Sequence, residues 1–164
     1  MSKIYKHKFN AENFTITLIA NDQNLLLIDI NSEVKYDENS DFFEVANEII
    51  KEAKRQLLEY LQGKRKKFDI TKLKILDKSE RFERKVYAAL MDVEYGETIT
   101  YKQLGEKAGT LNAARAVGNA MAKNPFPIIV PCHRVVKSDG KIGNYTGGSD
   151  VKISLLDIEK KFKE

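Results

Sequence analysis

Residues 100–123 read TYKQLGEKAGTLNAARAVGNAMAK, and the spacing of Thr100, Gly109 and Asn112 in this run predicts two short helices and a turn. Thr100 is an N-cap residue, and Gln103 stands three positions on, where its side chain reaches back to the cap's backbone N–H. Gly109 ends this helix, because glycine adopts the left-handed conformation that closes a helix at little cost. Asn112 is the expected cap of a second helix over 113–123, and Pro125 bars its continuation. Two short helices joined by Gly109-Thr110-Leu111-Asn112 form a helix-turn-helix candidate. The second helix is built almost entirely from small residues, with Arg115 near its start. A major-groove reader presents several Arg, Asn, Gln or Lys side chains to base edges. This helix offers few, so it suits close, sequence-independent contact.

Working outward, Phe82, Val86, Ala89 and Leu90 recur on one face of a predicted helix over 80–92. Residues 128–145 read as two short strands and a turn at Ser138-Asp139-Gly140, a wing-like element. A last helix, about 150–163, presents Val151, Leu155, Ile158 and Phe162. The first half of the chain is different. Residues 14–20 alternate, residues 25–30 are apolar, and Asn21-Asp22-Gln23-Asn24 joins them as a hairpin. Asp41, with Glu44 as its capping-box partner, is expected to open a helix carrying Phe42, Val45, Ala46, Ile49, Ile50, Ala53, Leu57 and Leu61, which Gly63 stops. The basic run Lys64-Arg65-Lys66-Lys67 follows, and both a nucleic-acid contact and a solvated loop fit it. Residues 68–78 read as a short strand or linker. The expected fold class is α+β in two domains. Residues 1–78 form a small α/β domain with an antiparallel sheet and a helix. Residues 79–164 form a mostly helical, winged helix-turn-helix-like DNA-binding domain.

The only cysteine stands in Pro131-Cys132-His133-Arg134-Val135-Val136, between an apolar stretch and a turn. Two readings stand. Free cysteines are often small buried hydrophobes. A lone Cys beside a His is also a candidate nucleophile, since the thiolate is the reactive form and an imidazole can favour it.

The chain has 164 residues and a net charge of +4. Its positive excess is local. Residues 99–145 hold Lys102, Lys107, Arg115, Lys123, Arg134, Lys137 and Lys141 against Glu106 and Asp139. A polyanion is the natural partner of such a patch, although a solvated basic face has the same composition. One cysteine permits no internal disulfide, and Cys132, His7 and His133 are too few for a structural zinc site. No signal-like or membrane-length apolar run is present, so a cytoplasmic protein is expected.

At this point the chain resembles a known family. NPFPIIVPCHRVVKSDGKIGNYTGG (124–148), GETITYKQLGEKAG (96–109), NAARAVGNAMAKNP (112–125) and VKISLLDIE (151–159) are similar to the blocks of the O6-alkylguanine-DNA alkyltransferases (methylated-DNA–protein-cysteine methyltransferases). The likeness covers residues 82–160. Residues 1–78 resemble the family's ribonuclease H-like N-terminal domain only in size and element order, and they lack the cysteines with which some members bind zinc there.

The resemblance implies single-turnover repair of O6-alkylguanine in double-stranded DNA. The alkyl group passes to the protein's own cysteine, and no cofactor or metal takes part. It makes Cys132 the nucleophile. His133 takes the thiol proton through a water, and Glu159 orients the imidazole. Tyr101 donates a proton to the leaving base and helps to rotate the nucleotide's phosphate. Arg115 fills the gap left by a nucleotide flipped out from the minor-groove side. Asn124 is the hinge beside the nucleophile. Ala113, Ala114 and Gly118 belong to the DNA face. The substrate pocket is formed by Tyr101, Met121, Val135, Tyr145, Thr146, Gly147 and Gly148, with backbone groups of Val135 and Thr146 meeting the base edge. Thr146 replaces a frequent serine. A monomer without membrane association is expected.

Three rivals remain at this level. A lesion-binding alkyltransferase-like protein would lack Cys132. A winged-helix regulator would need a base-reading helix. A Cys-His hydrolase leaves Arg115, Tyr101 and the basic patch unexplained.

Overall fold

The computed structural model describes residues 3–31 and 41–164. They divide into two compact units, Met1–Asp77 and Lys78–Glu164.

In the first unit, β1 (Ile4–Ala11), β2 (Phe14–Ala20), β3 (Leu25–Ile30) and β4 (Phe42–Phe43) form one sheet in the order β3-β2-β1-β4. The predicted hairpin is β2–β3, with Leu18 opposite Ile28. Strand β1 was not foreseen. Its sequence IYKHKFNA mixes polar residues with both apolar and aromatic ones, which hides its alternation. It pairs antiparallel with β2 from Tyr5↔Ala20 to Ala11↔Phe14, while β4 adds to its other edge in parallel, so the sheet is mixed rather than purely antiparallel.

The helix expected from Asp41 begins later. Phe42 and Phe43 are strand residues, and α1 runs Glu48–Leu61. Asn47 is the cap; its side chain accepts from the Ile50 N–H at 3.0 Å. Adjacent aromatics favour the pleated conformation over a helix's first turn, so Phe42, Val45 and Ala46 lie outside the helix. Ile50, Ala53, Leu57 and Tyr60 are fully buried. Lys54 of α1 lies 5.0 Å over the Phe9 ring and 3.1 Å from His7 Nε2, which sets the helix on the Phe9–Ile16 face of the sheet. Gly63, at φ 75°, closes α1 as expected. The Gly63 and Lys64 N–H groups donate to the Tyr60 and Glu59 carbonyls, the paired bonds of a Schellman end. The 68–78 stretch contains a single helical turn, α2 (Ile70–Leu73), capped by Asp69.

The second unit contains α3 (Arg81–Met91), β5 (Ile99–Thr100), α4 (Tyr101–Lys107), α5 (Ala114–Ala122), a 3-10 turn (Cys132–Arg134), β6 (Val135–Val136) and α6 (Ser149–Lys161). The Thr100–Gln103 capping box forms in both directions, each bond at 3.0 Å. Gly109, at φ 90°, ends α4. Asn112 does not cap α5. It takes a left-handed φ of 55°, and Ala113 is the cap, with no side-chain bond. Asparagine tolerates that conformation, and the turn uses this property instead of its capping oxygen. The wing-like pair of strands is also absent. Val135–Val136 pairs in parallel with Ile99–Thr100, ahead of α4, and the following residues form a turn in which the Lys137 N–H donates to Lys141 O at 2.9 Å.

Candidate active site

The nucleophile candidate is held by the segment that leaves α5. Asn124 ties both ends of this segment. Its Nδ2 donates to Val130 O at 2.8 Å and reaches Cys132 Sγ at 3.2 Å, while its Oδ1 accepts from the Phe126 N–H at 2.9 Å. Between these anchors Ile128 is buried with φ 75°, a conformation strained for a β-branched residue. Cys132 therefore sits in a 3-10 turn and not in the strand expected from the sequence. Pro131 has no N–H to give a ladder, and the Val130 carbonyl is already taken by Asn124 and by the Cys132 N–H, at 2.7 Å.

The residues after Cys132 turn into a polar core. His133 Nε2 is hydrogen-bonded to Glu159 Oε2. Arg134 grips the same carboxylate, Nε to Oε1 at 2.8 Å and Nη2 to Oε2 at 3.1 Å, and donates from Nη1 to Val93 O at 2.7 Å. The Gly96 N–H adds a fourth donor, at 3.1 Å. Burial pushes the Glu159 carboxyl up, but the hydrogen bond from His133 and the bonds and charge of Arg134 outweigh this and hold it well below the usual carboxylate range. For His133, burial pushes the imidazole down and the Glu159 contact only partly opposes it. Arg134 already supplies the carboxylate's counter-charge in this bidentate pair, so His133 is neutral at pH 7. A charged imidazole would bury a second cation beside one anion.

Burial also pushes the Cys132 thiol up. Asn124, the positive charge of Lys152 and the Tyr145 hydroxyl act in the opposite direction. Lys152 went unnoticed in the sequence, where it reads as a surface lysine on the last helix. It is fully buried, and its Nζ donates to Val135 O at 2.6 Å and to Asn144 O at 3.4 Å. It lies 5.9 Å from the centre of the Tyr101 ring. Burial lowers its pKa to about 8, against a pull upward from Cys132. The Tyr145 hydroxyl is buried, and the Cys132 sulfur is the polar group it faces. It stands close enough to Cys132 for negative charge on the sulfur to raise its pKa further above the value set by burial. Tyr101 is likewise raised, by burial and then by Cys132.

A cavity of about 700 Å³ opens onto this cluster. Cys132, Tyr101, Met121, Tyr145 and Thr146 line it, together with Ala114, Arg115 and Gly118 of α5. Ala113, Val135, Gly147 and Gly148 do not, and Asn124, His133 and Glu159 lie behind Cys132. Val135 is fully buried with its carbonyl engaged by Lys152. Gly143, which the sequence reading omitted, is held at φ 78° against Tyr101; a Cβ there would lie 2.9 Å from the Tyr101 hydroxyl. Among the described residues no helix is long and apolar enough to cross a membrane, and no group of three or more His, Cys, Asp or Glu side chains is placed to hold a metal ion.

This architecture has known relatives. The family model described as 6-O-methylguanine DNA methyltransferase, DNA binding domain, matches residues 81–161, and the one described as its ribonuclease-like domain matches residues 4–75. The methylated-DNA–protein-cysteine methyltransferase of Methanosarcina barkeri is 44% identical over 123 residues, covering 75% of this chain and 72% of the relative. That of Methanosarcina acetivorans is 38% identical over 144 residues, covering 88% and 90%. The crystal structure of Mycobacterium tuberculosis OGT in complex with DNA superposes with a TM-score of 0.84 at 32% identity, covering 96% of this chain and 94% of that one. Both halves of the chain thus match one family across nearly their whole length, and the chain belongs to the methylated-DNA–protein-cysteine methyltransferases, DNA-binding enzymes of DNA repair.

Proposed function

We propose that the protein repairs O6-alkylguanine in double-stranded DNA by moving the alkyl group onto Cys132, once per molecule. The observation that carries this reading is the placement of the one thiol of the chain on a cavity that also presents Tyr101, Tyr145 and Arg115. Displacement at an alkyl carbon requires a soft, strong nucleophile, which a thiolate is. The thiol proton leaves through a water to His133. Glu159 holds Nε2, so Nδ1 receives it. The sulfur–carbon bond then forms as the carbon–O6 bond breaks, and the bonding pair stays with guanine. Tyr101, kept protonated by burial and by charge at Cys132, donates a proton at N3 of the leaving base, which balances the one taken up by His133. Nothing removes the thioether, so each molecule acts once.

The target carbon lies inside the base stack, and extruding its nucleotide costs a few kcal/mol. Arg115 fills the gap. Ala113, Ala114 and Gly118 let α5 approach the minor groove closely. Met121, Tyr145 and Thr146 form the pocket, Gly147 and Gly148 continue its loop behind the cavity wall, and Asn124 serves as the hinge.

Intact mass after incubation with a duplex containing one O6-methylguanine tests the reading. A single gain of about 14 Da, one CH2, on Cys132 is expected, and none with undamaged DNA. Tight binding without a mass gain would place the protein among lesion binders. Arg115→Ala is expected to lose transfer from duplex DNA while still reacting with free O6-benzylguanine base. Equal losses on both substrates would remove the flipping role of Arg115.

A further inference from the structure

The basic run at the end of α1 has no part in the active site, and its local structure is specific. The Schellman bonds of Gly63 and Lys64 fix its start. Arg65 turns inward: Nε and Nη2 donate to Glu59 Oε1 at 3.1 and 3.0 Å, and Nη1 donates to Lys67 O at 2.9 Å. Its far end is fixed by the Asp69 N–H on Gln56 Oε1 at 2.9 Å, and Gln56 is fully buried. The Phe68 ring packs 5.6 Å from Tyr60.

The nearby acids are committed elsewhere. Glu59 serves Arg55 and Arg65, Glu52 serves Arg55 and Gln56, and Asp69 caps α2. Arg65 is thus spent on holding the loop. Lys64, Lys66 and Lys67 are exposed on a backbone that is already ordered. Like charges at such spacing repel one another, and among the described residues no carboxylate pairs with Lys64 or Lys67 to relieve them. A row of phosphodiesters relieves them well, and binding there costs little ordering entropy because the loop is fixed beforehand.

We propose that the Lys64–Lys67 loop is a second DNA contact, made by the N-terminal unit to the phosphate backbone without regard to sequence. The inference rests on the DNA-repair reading above, and the test separates the two. Affinity of the full-length protein for an undamaged duplex is measured across a salt series. Each phosphate contact adds about 0.9 to the slope of log K against log salt. Lys64→Gln/Lys67→Gln is expected to lower that slope by about 2 and to weaken binding at low salt. Lys8→Gln/Lys51→Gln removes the same charge from the same unit and is expected to leave the slope within a few tenths of the unmodified protein's.

An unchanged slope in the loop variant, or an equal fall in the control, overturns the proposal. Both variants are expected to alkylate Cys132 with free O6-benzylguanine at the unmodified rate. If the unmodified protein itself fails in that reaction, the alkyl-transfer reading has failed, whatever the salt slopes show.

Discussion

The two units differ in what they bury. Among the described residues, the N-terminal unit buries two polar side chains, Thr17 and Gln56, both neutral. The C-terminal unit buries Asn124, His133, Arg134, Lys152 and Glu159, four of them ionisable, and all five are tied into bonds at or behind Cys132. Buried charge is costly unless paired and hydrogen-bonded. Its concentration in one unit marks where stability is given up to the needs of chemistry. The arginine–carboxylate pairs of the first unit stay partly in solvent and order a loop instead.

Substitution at the Glu159 carboxylate probes this contrast hardest. Glu159→Gln leaves the Arg134 guanidinium buried without its counter-ion, and a loss of about 3–5 kcal/mol is expected in urea unfolding of the C-terminal unit. A loss below about 1 kcal/mol would show that water reaches Arg134 readily and that the contrast between the units is weaker than drawn.

The Lys152 amine gives the next largest effect. Its pKa falls from 10.5 unfolded to about 8 folded. Between those values the unfolded chain binds more protons, so stability rises with pH. In a Cys132→Ala background, which removes the competing thiol, a gain of about 2 kcal/mol from about pH 8 to about pH 10 is expected in denaturant melts, and Lys152→Met should abolish it.

Gly143→Ala forces a left-handed residue into Tyr101, and a cost of about 1–2 kcal/mol is expected, with slower transfer from duplex DNA as the Tyr101 hydroxyl shifts. Unchanged transfer would show that the hydroxyl's position is not critical. Smallest of all, Glu59→Gln should cost under about 1 kcal/mol, because its arginine partners remain in contact with water.

The same contrast explains what the sequence disclosed. Helix ends governed by local chemistry were legible: Thr100 with Gln103, Gly109 and Gly63 act as read. The start of α1 and the cap of α5 were not, because Asp41 and Asn112 are good caps in isolation and the chain had better uses for their neighbourhoods. Cys132 and the apolar periodicity of α6 were visible, but neither predicts a 3-10 turn, which depends on Asn124 reaching across to Val130. Glu159 was identified only through family resemblance. Lys152 was missed, and Arg134 was counted in the basic patch although it is buried on Glu159, since the burial of a basic side chain is decided by what packs over it and not by its neighbours in sequence.

The ladder between β5 and β6 is only two residues long, Ile99↔Val135 and Thr100↔Val136. Tyr101 follows one of its strands directly, and Cys132-His133-Arg134 leads directly into the other. The ladder therefore works as a gauge block. The separation of Cys132 and Tyr101 along the chain is set by a few peptide units on either side of the ladder, not by the remainder of the fold. One residue inserted between Thr100 and Tyr101, or between Arg134 and Val135, would put these two side chains out of step. The turn at 137–141 lies outside this gauge and can change length without disturbing the spacing.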